Sequence, residues 1–206
     1  MLAAVTGLRE RKKLQTTQQL ATVALRLSAH RGFENVTVDA IADAANVSKR
    51  TFFRFYPSKE SAVLATEQEL FDAVRQEAGR RPPAGPVLRF CREALVAALD
   101  GLDDEWFDRW AVAGRLVRET PALEAVSLQH CASVNAAVLN LVTAQLDGQD
   151  EIAPSLRLAL DATVAAWRLA VDRWLAAGAP DRGALRDQVG AAMDLVAQLD
   201  GARFGG

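Results

Sequence analysis

Ser48, Lys49, Arg50 and Thr51 stand in a row and set two hydroxyls beside two cations. At the first turn of a helix such a set can bind phosphate through hydroxyls, free N–H groups and the positive dipole end, while lysine or arginine reads O6 and N7 of guanine. Other chemistries find little material. The two histidines, His30 and His130, give no shared metal site, and His130 and Cys131 are neighbours that point about 100° apart on a helix. No glycine-rich phosphate loop, HExxH or GxSxG pattern occurs. Asp103-Asp104-Glu105 reads as a helix start, and Asp147–Glu151 lacks the spacing of a calcium loop. No metal, cofactor or catalytic residue is expected.

Charge separates the chain into two parts. Residues 1–60 hold ten basic and five acidic side chains, whereas the rest holds fourteen basic and twenty-one acidic, and every lysine lies in the first part. A basic segment on an otherwise acidic protein points to a polyanion partner, with an ordinary solvated face as the alternative.

The elements that must position Ser48–Thr51 are helical. Leu20, Val23, Ala24 and Leu27 recur at spacings of three and four, which predicts a helix from Thr16 that Arg31 and Gly32 end. Thr37 is a fitting N-cap for a short second helix with Val38, Ile41, Ala42 and Ala45 on one stripe. Asn46 tolerates the left-handed turn that follows, Val47 plugs the gap, and Ser48 caps a third helix over Lys49–Phe55 before Pro57 and Ser58. A supporting helix followed by two short helices around a tight turn is a helix-turn-helix, whose last helix enters the major groove of DNA.

The stretch from Ala24-Leu-Arg-Leu through Arg31-Gly-Phe to Thr37-Val-Asp-Ala-Ile-Ala-Asp-Ala-Ala-Asn-Val-Ser-Lys-Arg-Thr-Phe-Phe-Arg-Phe-Tyr-Pro-Ser-Lys-Glu60 resembles the DNA-binding domain of TetR/AcrR-type transcriptional regulators. The resemblance covers about a quarter of the chain. It implies that Thr37 is a phosphate-contacting cap, that Ser48, Lys49, Arg50 and Thr51 form the base-reading turn, and that Phe53, Arg54, Phe55 and Lys59 supply the remaining groove and backbone contacts. Departures are Ser28 where a buried phenylalanine is common, Asn46 where glycine is usual, Phe53 where many members place a tyrosine, and Phe55-Tyr56 in inverted order.

Residues 61–206 are expected to form a helical effector-binding and dimerisation domain behind the DNA-binding domain of residues 1–60, making an all-α protein of about nine helices. A long helix is predicted from Ser58 to Arg80, and turn signals follow at Arg81–Pro86, Asp100–Asp103, Thr120-Pro121, Asp147–Asp150, Ala153-Pro154, Gly178–Pro180 and Gly201. The first dozen residues and Gly205-Gly206 are expected to be disordered. Segments Ser155–Ala177 and Arg182–Leu199 are long and alanine-rich, and in the resembling family the equivalent pair forms a four-helix interface with its symmetry mate. Ala162, Ala166, Leu169, Leu185, Val189, Met193 and Val196 are therefore expected at a homodimer interface, with intrachain packing as the alternative.

Phe90, Trp106, Phe107, Trp110, Trp167 and Trp174 cluster with Arg92, Arg115, Arg118, Gln129, His130 and Asn135 in the acidic part. Aromatics with a few polar groups suit a small-molecule site, for which Cys91, Trp106, Trp110, Arg115, Arg118 and Trp167 are the proposed lining; plain core is the alternative. Arg118-Glu-Thr-Pro-Ala-Leu123 is similar to a segment of family members whose ligands are fatty-acyl or acyl-CoA-like.

The chain has 206 residues, 50% of them hydrophobic and 24% charged, a globular balance. Two cysteines exclude a disulfide framework, the Met1–Val5 patch is too short for a signal segment, and no apolar run is expected to reach the roughly 18 residues of a membrane span. Together these features predict a cytoplasmic, homodimeric, ligand-responsive regulator, most simply a repressor released from a near-palindromic operator in double-stranded DNA by a small apolar or acyl-type effector. The alternatives are an activator of the same fold, control by a protein partner, and a helical enzyme or carrier with a basic arm.

Overall fold

A computed structural model of the chain describes residues 2–146 and 151–199, with side chains from residue 10 onward. The turn expected at Asp147–Asp150, the stop at Gly201 and the Gly205-Gly206 end lie outside the described residues. Among the described residues are ten α-helices and no strand: α1 (Leu2–Arg31), a 3-10 turn (Phe33–Asn35), α2 (Val38–Ala44), α3 (Lys49–Phe55), α4 (Lys59–Val63), α5 (Ala65–Arg80), α6 (Val87–Asp100), α7 (Asp104–Glu119), α8 (Pro121–Thr143), α9 (Ile152–Ala176) and α10 (Arg182–Ala197). The all-α expectation holds.

Three boundaries differ from the sequence reading. Helix α1 begins at Leu2 instead of Thr16, because Thr16 and Thr17 do not cap it. Their hydroxyls donate to the Lys12 and Lys13 carbonyls at 2.9 and 3.0 Å, and the preceding Arg-Glu-Arg-Lys-Lys-Leu-Gln run is made of good helix formers. The first dozen residues are thus helical from Leu2 on. Helix α4 ends at Val63, with Leu64 as its C-cap (φ −87°, ψ 12°), so the single helix expected over Ser58–Arg80 is two, which brings about nine to ten. Helix α8 corrects the reading of apolar runs: it has 23 residues and a mean hydropathy of 1.3 over its most apolar stretch, enough by length and composition to cross a membrane. Beyond Glu124 in its first turn, serine, glutamine and asparagine interrupt it without charge. Its Cys131, Val134, Val138 and Val142 are nonetheless buried within the protein.

The chain divides into two compact units. The first runs up to Glu67 and also takes Arg115–Ser127; the second holds Gln68–Gly114 and the residues from Leu128 on. In the first unit Leu20, Val23, Ala24 and Leu27 of α1 are buried with Phe33, Val36, Ile41, Ala42, Ala45, Phe52 and Leu64. The buried Glu67 carboxylate accepts the Ser127 hydroxyl, a polar tie that joins the later segment to this unit. In the second unit α9 packs along α10 and α6. The α9–α10 turn uses Gly178 at φ 87° and Ala179 at φ 53°. It is closed by the Trp174 indole donating to the Asp181 carbonyl at 3.0 Å, while Asp181 caps α10 through Ala184 N at 2.8 Å.

Candidate nucleic-acid interface and ligand cavity

Both predicted caps of the helix-turn-helix are formed. Thr37 Oγ1 accepts from Ala40 N at 3.1 Å and Ser48 Oγ from Thr51 N at 3.1 Å, so each hydroxyl satisfies one of the amides that a helix start leaves open. The turn between α2 and α3 passes through Asn46 at φ 53°, the left-handed region where asparagine costs less than other side chains. Val47 N then bonds the Ala42 carbonyl at 2.9 Å, and Gln19 of α1 donates to the Ala45 carbonyl at 3.0 Å, fixing the turn to the supporting helix.

Helix α3 is held from behind. Phe52 is fully buried, and one turn later the Tyr56 hydroxyl donates to the Thr17 carbonyl at 3.1 Å, which satisfies the chain's single tyrosine at its inward position. With that face buried, the opposite one presents Lys49, Arg50, Phe53 and Arg54, all exposed. Arg50 makes no ion pair among the described residues. Lys49 pairs with Asp39 at 2.9 Å, but both side chains are more than half exposed, and such a pair holds so little energy that an incoming phosphate can displace the carboxylate. Phe53 rests edge-on against Phe52, and the Arg54 guanidinium lies 4.9 Å from the half-buried Phe55 ring. Lys59 differs from the others. Its ammonium donates to the Phe33 and Val36 carbonyls, each at 3.0 Å, and sits 4.1 Å from the Phe33 ring, leaving one N–H uncommitted. Its first task is to hold the 3-10 turn against α4.

In the second unit a narrow apolar cavity is lined by α5, α6, α8 and α9. Leu70, Phe71, Phe90, Leu95, Val134, Val138, Leu160 and Trp167 form most of its wall, together with Cys91, Cys131, Asn135 and Thr163, and no charged side chain lines it. Its volume is about 50 Å³. Burial pushes the Cys91 thiol up to about 11, against a smaller opposing effect of its hydrogen bond with Thr163. Asn135 is buried and donates to Asp161 at 2.9 Å, so its carbonyl oxygen remains the one amide acceptor in the wall.

Of the six residues expected at the ligand, Cys91 and Trp167 line this cavity. Trp106 and Trp110 stand behind it as core: Trp110 stacks on Trp167 at 5.8 Å and Trp106 on Trp110 at 5.8 Å. Arg115 and Arg118 are exposed, belong to the first unit and are absent from the wall, because the helix face that carries them is not the one buried. Arg92, Gln129 and His130 do not line it either. Sequence reasoning missed the α5 wall, Leu70, Phe71, Val74 and Ala78, whose helical spacing looks like any other core stripe.

The α9–α10 stripe also divides. Leu185, Val189, Met193 and Ala166 are buried within the unit, so the first three offer no surface to another chain. Ala162 and Val196 are half-buried and Leu169 is 37% exposed. The apolar surface left open comprises Leu169, Leu195 at 44% and Leu199 at 66%, in a groove with Ala165 and Val196.

A capped, anchored helix-turn-helix with a cationic outer face, attached to an all-helical unit with its own cavity, defines a DNA-binding transcriptional regulator. Comparison with known proteins says which kind. Residues 20–66 match the family described as bacterial regulatory proteins, tetR family. The HTH-type transcriptional regulator TcmR of Streptomyces glaucescens is 31% identical over 163 residues, covering 75% of this chain and 71% of that protein. The fold is shared with the fatty acid degradation regulator FadR of Bacillus halodurans (TM-score 0.55, 18% identity, 92% of this chain and 97% of that one). It is shared likewise with Thermus thermophilus FadR in complex with lauroyl-CoA (TM-score 0.52, 21% identity, 92% and 97%). This chain belongs to the TetR family of transcriptional regulators, and it is accordingly a regulator and not an enzyme.

Proposed function

We propose that the chain is a cytoplasmic repressor that binds a near-palindromic operator as a homodimer and is released when an apolar effector occupies the cavity of the second unit. The observation that carries the reading is the cavity itself, lined almost wholly by apolar side chains and by no charged one. A site of this kind takes an alkyl or aryl group and rejects an unpaired ion, since burying a charge without a partner is costly. An acyl chain meets that requirement, and Thermus thermophilus FadR, which shares the fold, is described with lauroyl-CoA. The cavity is smaller than a long acyl chain needs, so such a ligand must widen it. Two copies are favoured because a helix-turn-helix reads two half-sites through a two-fold axis, and the exposed Leu169, Leu195 and Leu199 surface gives a second copy something to cover. Release then follows if the ligand prefers the arrangement of the dimer that cannot bind DNA, because equal affinity for both arrangements shifts nothing. The test is a mobility shift with the promoter beside the protein's own gene, titrated with medium-chain alcohols, acids and acyl thioesters. Loss of the shifted band on addition of an apolar ligand is expected. A band that no ligand weakens, or that a ligand strengthens, would overturn effector-released repression.

A further inference from the structure

The first unit carries cations that the helix-turn-helix does not use. Helix α1 starts at Leu2, well before the family match begins at residue 20. From Glu10 to Gln15 every side chain is exposed, Leu14 at 59%, so none of these side chains is buried in a core. A helical stretch without tertiary packing is marginal in water and gains from a partner. Arg11, Lys12 and Lys13 occupy three consecutive positions there, and neither lysine makes an ion pair among the described residues. Two hydrogen bonds locate the stretch relative to α3. Gln19 donates to the carbonyl of Ala45, three residues before the Ser48 cap, and the Thr17 carbonyl accepts from Tyr56, the residue that ends α3. Lys12 precedes Gln19 by seven residues, two turns, so it lies on the same face of α1, about 10 Å along the axis from the turn that leads into α3.

We propose that the early turns of α1 are a second DNA-contacting element, in which Lys12 and Lys13 bind backbone phosphates flanking the site read by α3. The inference rests on operator binding by the helix-turn-helix. Phosphate is the favoured partner because the cations continue the basic unit that reads DNA, and because exposed ammonium groups on a rigid helix contact phosphate without needing base identity. Each neutralised phosphate contributes about 0.9 to the slope of log affinity against log salt.

The experiment is operator titration of the full-length protein and its Lys12→Gln/Lys13→Gln variant, which keeps helix-forming side chains, between 50 and 200 mM salt. The variant's slope should be shallower by about 1.8 for each protomer, about 3.6 for the dimer, so that over this range the wild type loses about 150-fold more affinity than the variant. Base preference at the operator should stay unchanged, and shortening the duplex to the two half-sites should abolish the difference. A wild-type slope in the variant would overturn the proposal, as would a lost affinity for anionic vesicles with DNA binding untouched. Failure of the underlying reading looks different: Arg50→Ala would then bind every base like the wild type whatever stands at residues 12 and 13.

Discussion

Arg50 shows how much a single side chain is asked to do. It is exposed at the start of α3, unpaired among the described residues, and supported by the Ser48 cap and the buried Phe52. Arg50→Ala should relax discrimination at one base position by about 1–3 kcal/mol while leaving thermal stability unchanged; operator variants titrated at constant salt would measure it. Ser28 makes the opposite case. It is 1% exposed and its hydroxyl finds no hydrogen-bond partner among the described residues. Since a buried unsatisfied hydroxyl costs about 1–3 kcal/mol, Ser28→Ala should raise the urea midpoint of unfolding, and a lowered midpoint would mean that the hydroxyl is satisfied after all. Cys91 links the cavity to pH. Its thiol is pushed up to about 11 from 9.0 by burial, so the folded protein keeps a proton that the unfolded chain gives up near 9. The resulting stabilisation is fully present below about pH 9 and is lost as pH rises through about 11. Urea midpoints of wild type and Cys91→Ala should therefore differ by a constant amount up to pH 9 and shift against the wild type above it.

At the scale of elements, the helix-turn-helix was legible because local chemistry specifies it. Thr37 and Ser48 cap, Asn46 turns, Gly32 at φ 78° stops α1, and each of these acts through its own backbone within a few residues. The break at Leu64 was not legible, since Ala62-Val-Leu-Ala-Thr66 contains no proline or glycine and the interruption arises from packing: Ala62, Val63, Leu64 and Thr66 are all buried. For α9 and α10 the sequence showed the two helices but not their rotation. A stripe of small and apolar residues fits both an intrachain core and a partner helix, and here Leu185, Val189 and Met193 went inside while Leu169, Leu195 and Leu199 stayed out. The distinction has a measurable consequence. Leu195→Asp or Leu169→Asp should convert a dimer to monomers in sedimentation while the protomer keeps its helical signal, because each places its charge at open surface. Val189→Asp should instead unfold the unit, because its carboxylate would be buried alone. Dimers persisting in both leucine variants would place the interface on another surface.

For the molecule as a whole, the uneven charge and the apolar cavity describe one division of labour. The first 60 residues hold all the lysines and twice as many basic as acidic side chains; the remainder is acidic, and its cavity wall is uncharged. Sequence reading expected a ligand among the tryptophans, and of these only Trp167 lines the cavity, since an aromatic reveals neither which of its faces meets the cavity nor which meets core. It also assigned Arg115 and Arg118 to an anionic head group, which the uncharged wall does not call for. The Trp106–Trp110–Trp167 stack nevertheless supplies a reporter, because a ligand against Trp167 touches one end of it. An uncharged apolar ligand, such as a medium-chain alcohol, should quench tryptophan fluorescence and weaken operator binding over the same concentration range, and a free carboxylate of equal length should do so less effectively at pH 8. By reciprocity, saturating operator must weaken the ligand by the factor that the ligand weakens the operator, typically 5–150-fold or about 1–3 kcal/mol of coupling. Trp167→Phe, which keeps an apolar ring in the wall, should remove most of the quench yet retain the release of DNA. Quenching without any change in operator affinity would separate the cavity from regulation, and release by ligand with no fluorescence response in the wild type would move the effector away from Trp167.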